Sequence, residues 1–398
     1  MHECQQTIGA PRALLVAMSI CYSAFSLFPQ AIPPTSQHPR LTVALTTYGF
    51  SPEKGVSNRI FFRDLSVGKL MAFDLGLKLV FISEDVLVAY SVLQTGADWR
   101  TASRELQAYF IRTSDGTLWA KRTWPSTIRK DESDADTEGR IIPLRDGRFL
   151  VDANGTLMLY GSDLALIREK TLEPFGPTEM WGVQSVLGGR EIFLRHETSL
   201  CPDRDRCAVQ YEWRDAETFQ PLESAVGDVF QGRRVRGAGG GAYIAWSSDT
   251  NSIFEPNKVP RKLCDDWRCS QMSVDTFLAQ GRVVLWSSTE GVGVVDLRRG
   301  LLWFQAPSIG EVRNFCFGPV ETSLMGNRFA IWASTSKKSV FDSVIVRSSV
   351  LFIFDTNNPN HVFAIPEHAG GGLFALSPSG RELATGEGES QLHFYNVP

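Results

Sequence analysis

The chain has 398 residues, 43% of them hydrophobic, with a formal net charge of −4 and a pI near 5.9. A chain of this size hides about three quarters of its unfolded surface, and its charge leaves no basic footprint for nucleic acid. Thirty-four Gly and 20 Pro scattered among short Val, Ile and Phe runs fit strands separated by tight turns, so the expected class is all-β.

The N-terminus reads as an export signal over residues 1–31. A polar stretch ends at Arg12, an uncharged and mostly apolar run follows from Ala13 to Phe28, and Ala24 and Ser26 supply the small residues of a peptidase site, with Ala31 as a second one. The run is shorter than the ~20 residues of a membrane span. An uncleaved anchor and a buried strand are the alternatives, and no integral span is expected in the mature chain. Residues 32–39 form a Pro-rich linker, and 40–398 are expected to be one domain.

Arg40 to Tyr48 alternates as a half-buried strand does, and it stands alone at the start. From there an apolar run launched by a tight turn recurs seven times. It begins at Asp85, Gly147-Arg148, Gly189-Arg190, Gly241, Gly281-Arg282, Gly326-Asn-Arg328 and Gly380-Arg381. The spacing, mostly 40 to 54 residues, is that of four-stranded propeller blades. The longest interval, Asp85 to Gly147, leaves room for one more unit. Trp246, Trp286 and Trp332 hold one fixed place in successive copies, which suits packing between neighbouring sheets. A second repeated piece ends a strand on a polar turn, at Asp115, Asp215, Asp296 and Asp355, where an Asp side chain can bond the backbone two residues on.

The last blade, Leu373 to Pro398, lacks one strand. The expected fold is therefore a seven-bladed β-propeller closed by pairing the N-terminal strand with Gln391–Asn396, which leaves no open edge in the ring.

Leu376-Ser-Pro-Ser-Gly380-Arg-Glu-Leu-Ala-Thr-Gly386 followed by Leu392-His-Phe-Tyr395-Asn396 resembles a degenerate WD40 or YVTN-type blade. Val295-Asp296, Phe354-Asp355 and Tyr395-Asn396 stand where that family has its Trp-Asp pair. The Gly-His dipeptide of true WD40 repeats is absent, so that family's partner rules do not carry over. In character the chain is similar to exported bacterial propellers of unassigned role.

Of the seven cysteines, Cys4 and Cys21 fall in the leader. Cys201 with Cys207 and Cys264 with Cys269 read as two local disulfides in an exported protein, and Cys316 as a buried thiol. In a reducing compartment the same four sulfurs could hold zinc. Asp134-Ala-Asp136-Thr-Glu138 opens like a calcium loop, but Arg145 stands where the closing Glu belongs, so a solvated acidic loop is expected. Gly237 to Gly241 is expected to be a flexible blade-to-blade turn rather than a phosphate cradle. Gly116-Thr-Leu-Trp119 and Gly300-Leu-Leu-Trp303 have the Gly-x-x-Trp of quinoprotein propellers, without the adjacent cysteines some of those enzymes carry.

Zincin and serine-hydrolase signatures are missing, and the six histidines are scattered singly. No catalytic residue, metal or cofactor is assigned. The expected function is an exported, secreted or periplasmic, non-catalytic binding or scaffolding module, monomeric, taking a protein, peptide or small-molecule ligand. Trp181, Arg313 and His368 are the candidate binding residues, placed among loops entering the innermost strands. The alternatives are a lactonase-like or quinoprotein-like enzyme at the channel mouth and an envelope assembly factor.

Overall fold

A computed structural model describes residues 38–50, 60–63, 70–73, 77–95, 103–126, 139–173, 179–198, 209–226, 234–246, 251–266, 269, 273–278, 281–287, 291–305, 316–338, 344–357, 362–366, 373–387 and 390–398. Strand β1 (Leu41–Ala44) opens the domain and runs into a short 3-10 turn at Leu45–Tyr48. A hairpin of β2 (Ile60–Arg63) and β3 (Leu70–Phe73) follows and pairs only with itself. This hairpin has no counterpart among the strands expected from the sequence.

Six four-stranded antiparallel sheets come next. The first blade is β4 (Lys78–Phe81), β5 (Val86–Thr95), β6 (Ser103–Arg112) and β7 (Leu118–Ser126). The second is β8 (Arg140–Pro143), β9 (Phe149–Ala153), β10 (Thr156–Tyr160) and β11 (Leu166–Thr171). The third is β12 (Glu179–Val186), β13 (Glu191–Thr198), β14 (Val209–Asp215) and β15 (Pro221–Val226). The fourth is β16 (Arg234–Gly239), β17 (Ala242–Trp246), β18 (Asn251–Phe254) and β19 (Arg261–Lys262). The fifth is β20 (Ser273–Leu278), β21 (Arg282–Ser287), β22 (Gly291–Asp296) and β23 (Gly300–Gln305), and the sixth is β24 (Cys316–Thr322), β25 (Arg328–Lys338), β26 (Val344–Asp355) and β27 (Val362–Pro366). The seventh blade, β28 (Phe374–Leu376), β29 (Glu382–Glu387) and β30 (Gln391–Asn396), takes β1 as its fourth strand.

The register of that last pairing, Leu41 opposite Phe394 and Val43 opposite Leu392, closes the ring. Innermost strands β4, β8, β12, β16, β20, β24 and β28 neighbour one another in sequence order, and β28 returns to β4. The chain is a seven-bladed β-propeller. The long interval after Asp85 holds no eighth sheet among the described residues, and it is filled in part by the ten-residue strands β5 and β6.

Because each sheet is covered on both faces by its neighbours, the middle strands are apolar almost throughout, as in β9 and β22. Outermost strands face water, and β11 is exposed at five of six positions. The core is divided accordingly into seven apolar clusters, one for each boundary between adjacent blades. Between the fifth and sixth blades, for example, Val284, Val292 and Val294 meet Phe329, Ile331 and Phe352. Trp286 packs at that boundary and Trp332 at the next, as expected of an inter-sheet wedge; the Trp246 side chain lies outside the described set.

The Gly-x-x-Trp tryptophans pack too. Trp303 stacks on Phe329 and Phe354 across the fifth and sixth blades, and Trp119 meets the edge of Phe110. Among the described residues no helix is long and apolar enough to cross a membrane.

Candidate functional site

In an antiparallel blade the first and third turns share one end of the sheet, and the second turn and the connection to the next blade share the other. In a ring of such blades the first and third turns therefore build one face of the disc, here called the turn face.

In four of the blades the third turn is fixed from within by an aspartate that ends or follows the strand before it. Asp215 Oδ1 accepts from the amides of Glu217 and Thr218 at 3.1 and 2.8 Å and from Thr218 Oγ1 at 2.7 Å. Asp296 takes the amides of Arg298 and Arg299, Asp355 that of Asn357, and Asp115 the amide and hydroxyl of Thr117. Those donors stabilise the charged form, and the carboxyls of Asp115 and Asp215 sit below the usual aspartate range.

The turns are also bonded from blade to blade. Glu84, in the first turn of the first blade, accepts from the Ser379 amide at 2.5 Å and from its hydroxyl at 2.8 Å. Asn327 Nδ2 of the sixth blade donates to the Ser379 carbonyl at 2.7 Å, and Arg328 donates to that of Gly380 at 3.1 Å. Arg282 reaches Asn357 Oδ1 at 2.6 Å, and Arg145 reaches the Gly188 carbonyl at 3.2 Å. Gly240 donates its amide to Glu191 at 2.8 Å. The glycine run expected to link two blades instead turns within one, ending β16 at Gly239 and leading into β17; Gly239, Gly240 and Gly241 all hold positive φ, open to glycine without strain.

At the turn-face end of the blades lie the exposed large apolar side chains of the described residues: Leu166 and Ile167 where outermost strand β11 leaves the third turn of the second blade, Leu222 at the same place on β15 of the third, Val259 in that turn of the fourth, and Met325 in the first turn of the sixth. Val259 is 87% exposed. Where the sixth, seventh and first blades meet, a depression of about 420 Å³ is lined by Glu84, Asp85, Met325, Ser379, Arg381 and Glu382. Burial raises the Glu382 carboxyl above the usual glutamate value, against the pull of Arg40 at 2.7 Å. Among the described residues no group of three or more His, Cys, Asp or Glu is placed to share a metal. Apolar tips held on mutually bonded turns, with charges between them, provide the means of recognising a macromolecular surface.

Of the residues singled out from the sequence, Trp181 lies on β12, its ring stacked 4.4 Å from that of His196, its cross-strand partner, and packed against the core between the second and third blades. Arg313 and His368 fall outside the described residues, as do Cys201, Cys207 and the acidic loop from Asp131 to Glu138. Cys264 and Cys269 are disulfide-bonded, with Cα atoms 6.2 Å apart. The side chain of Cys316 is not among those described. The turn-face residues escaped the sequence reading, although Val259, set between Lys258 and Pro260 in a turn, broke the polar pattern of its surroundings.

No protein-family model matches the chain, and no curated protein does. Among solved structures it is similar to a chain of the crystal structure of a mitotic checkpoint complex, at 12% identity and a TM-score of 0.45, over 96% of this chain and the whole of that one. The propeller assignment rests on the seven sheets and their ring of neighbours.

Proposed function

We propose that this chain is an exported, non-catalytic binding module that docks a protein partner on its turn face. One observation carries the reading: the exposed large apolar side chains of the described residues lie at the end of the blades whose turns are bonded to each other. Exposed apolar groups on a rigid frame lose little entropy on binding, which favours recognition. Export is supported by the apolar run Ala13–Phe28 with small residues at Ala24 and Ser26, and by the Cys264–Cys269 disulfide, a bond that persists in oxidising compartments.

The test is capture from native-host extract by the wild-type chain and by a Leu166→Glu, Leu222→Glu, Met325→Glu triple variant whose thermal midpoint matches wild type. A partner held by wild type and released by the variant is the expected outcome. Equal retention of every captured protein by both chains sinks the reading.

A further inference from the structure

The chain as a whole is acidic, yet one sector of the turn face is not. The third turn of the fourth blade and the strand after it carry Lys258, Arg261 and Lys262, and the third turn of the fifth blade carries Arg298 and Arg299. All five are exposed. Arg261 Nη2 donates to the Leu297 carbonyl, so β19 is bonded directly to the turn bearing Arg298 and Arg299, and the two groups of cations form one patch across the blade boundary.

The carboxylates nearby are already engaged. Glu255 pairs with Lys258 at 3.2 Å and lies 3.5 Å from Arg261. Asp296 Oδ1 is taken by the amides of Arg298 and Arg299, and its Oδ2 lies 4.0 Å from Arg282. Asp265 follows buried Leu263, whose amide bonds the Asn251 carbonyl at the end of β18 away from the third turn. Among the described residues, Lys262, Arg298 and Arg299 have no carboxylate partner. Val259, between Lys258 and Arg261 in the same turn, is the apolar tip of this sector.

We infer that this sector docks an acidic polypeptide segment, its carboxylates over Lys262, Arg298 and Arg299 and an apolar side chain over Val259. The inference rests on the turn-face reading above and specifies the chemistry of the partner. Charge complementarity favours an anionic occupant. Between anionic occupants, one valine is too small an apolar anchor for a bilayer, which needs an extended apolar face in addition to basic charge, whereas a polypeptide meets both the row of cations and the single tip.

The experiment uses the full mature chain and a fluorescein-labelled peptide of repeated Glu-Leu-Asp, read by anisotropy at two salt concentrations, beside vesicles of phosphatidylcholine with phosphatidylglycerol. The expected result is salt-sensitive peptide binding that an Arg298→Glu, Arg299→Glu variant weakens by about tenfold or more. Arg122→Glu, an exposed cation on β7, should leave binding unchanged. Equal weakening by Arg122→Glu, no peptide binding by wild type, or tighter binding to the vesicles than to the peptide overturns the inference. The native partner separates this failure from that of the broader reading. If the apolar triple variant releases it and Arg298→Glu, Arg299→Glu does not, the turn face stands as the docking face and the acidic partner falls.

Discussion

Glu84 and Ser379 are 295 residues apart in the chain and joined by two hydrogen bonds, from the Ser379 amide at 2.5 Å and its hydroxyl at 2.8 Å to the two carboxylate oxygens of Glu84. They lie at the one boundary of the ring that the chain reaches only by bringing its two ends together. There β1 pairs with β30, and Arg40 meets Glu382 at 2.7 Å. Glu84 thus clamps the turn face at the point where the propeller closes.

Removing that clamp should loosen the closure. Hydrogen bonds to a charged group contribute about 1.5–3 kcal/mol each when partly shielded, and Glu84→Ala also leaves the Ser379 amide without its acceptor. A loss of about 2 kcal/mol in urea unfolding is expected, with Ser379→Ala costing less because the amide bond survives. A double-mutant cycle should show the two substitutions to be coupled; additive effects would refute the clamp.

Acid should act on the turns through opposite signs. The carboxyl of Asp215 is held low by Thr218 and the neighbouring amides, so its contribution is present above the usual aspartate value and is lost as pH falls through its folded value. Glu382 is held high by burial; its share is present below the usual glutamate value and is lost as pH rises through the folded one. In thermal midpoints against pH, Asp215→Asn should therefore lower stability at pH 7 and converge on wild type in acid. Glu382→Gln should gain on wild type as pH rises from about 4 to 7. A constant offset across that range for either variant contradicts the assignment.

The ring was legible because each blade repeats one local solution. All seven turn signals, from Asp85 to Gly380, immediately precede or open the second strand of a blade. The aspartates at 115, 215, 296 and 355 announce third turns through a bond that needs only their own neighbours. Outer strands were harder: β19 has two residues, and β11 carries exposed Leu166 and Ile167, because one edge of such a strand meets water and its sequence is free to drift from the blade pattern. The hairpin of β2 and β3 belongs to no blade and repeats nothing. The turn-face sector was not legible at all. Lys258, Arg261, Arg298 and Arg299 come from two blades, and only the bond from Arg261 to Leu297 shows that they share a surface.

Gly237 illustrates how tightly the blades meet. A Cβ at this position would lie 2.6 Å from Cβ and Cγ of Phe193 in the neighbouring blade, closer than packed carbon atoms approach. Its φ is not in the left-handed region, so the constraint is space alone. Gly237→Ala should cost about 1–3 kcal/mol, as overpacking does. If Gly237→Ala unfolds at the same urea concentration as wild type, the contact between the third and fourth blades is looser than described.

The fourth blade ends on the shortest outer strand of the ring, and the disulfide immediately after it takes over part of that strand's role. Cys269 is buried with Leu263, Ile253 and Val283 in the core between the fourth and fifth blades, so the bond ties the end of β19 into the boundary that carries the basic sector. Closing so short a loop stabilises by about 2 kcal/mol in the chain-entropy account. Cys264→Ser, Cys269→Ser should therefore lower the urea midpoint, and reductant should lower that of wild type by at least as much. Intact mass after alkylation under native-host, non-reducing conditions checks the compartment as well. Protection of Cys264 and Cys269 is expected of an exported chain, and alkylation of both in the folded protein would mean that it works where thiols are kept reduced.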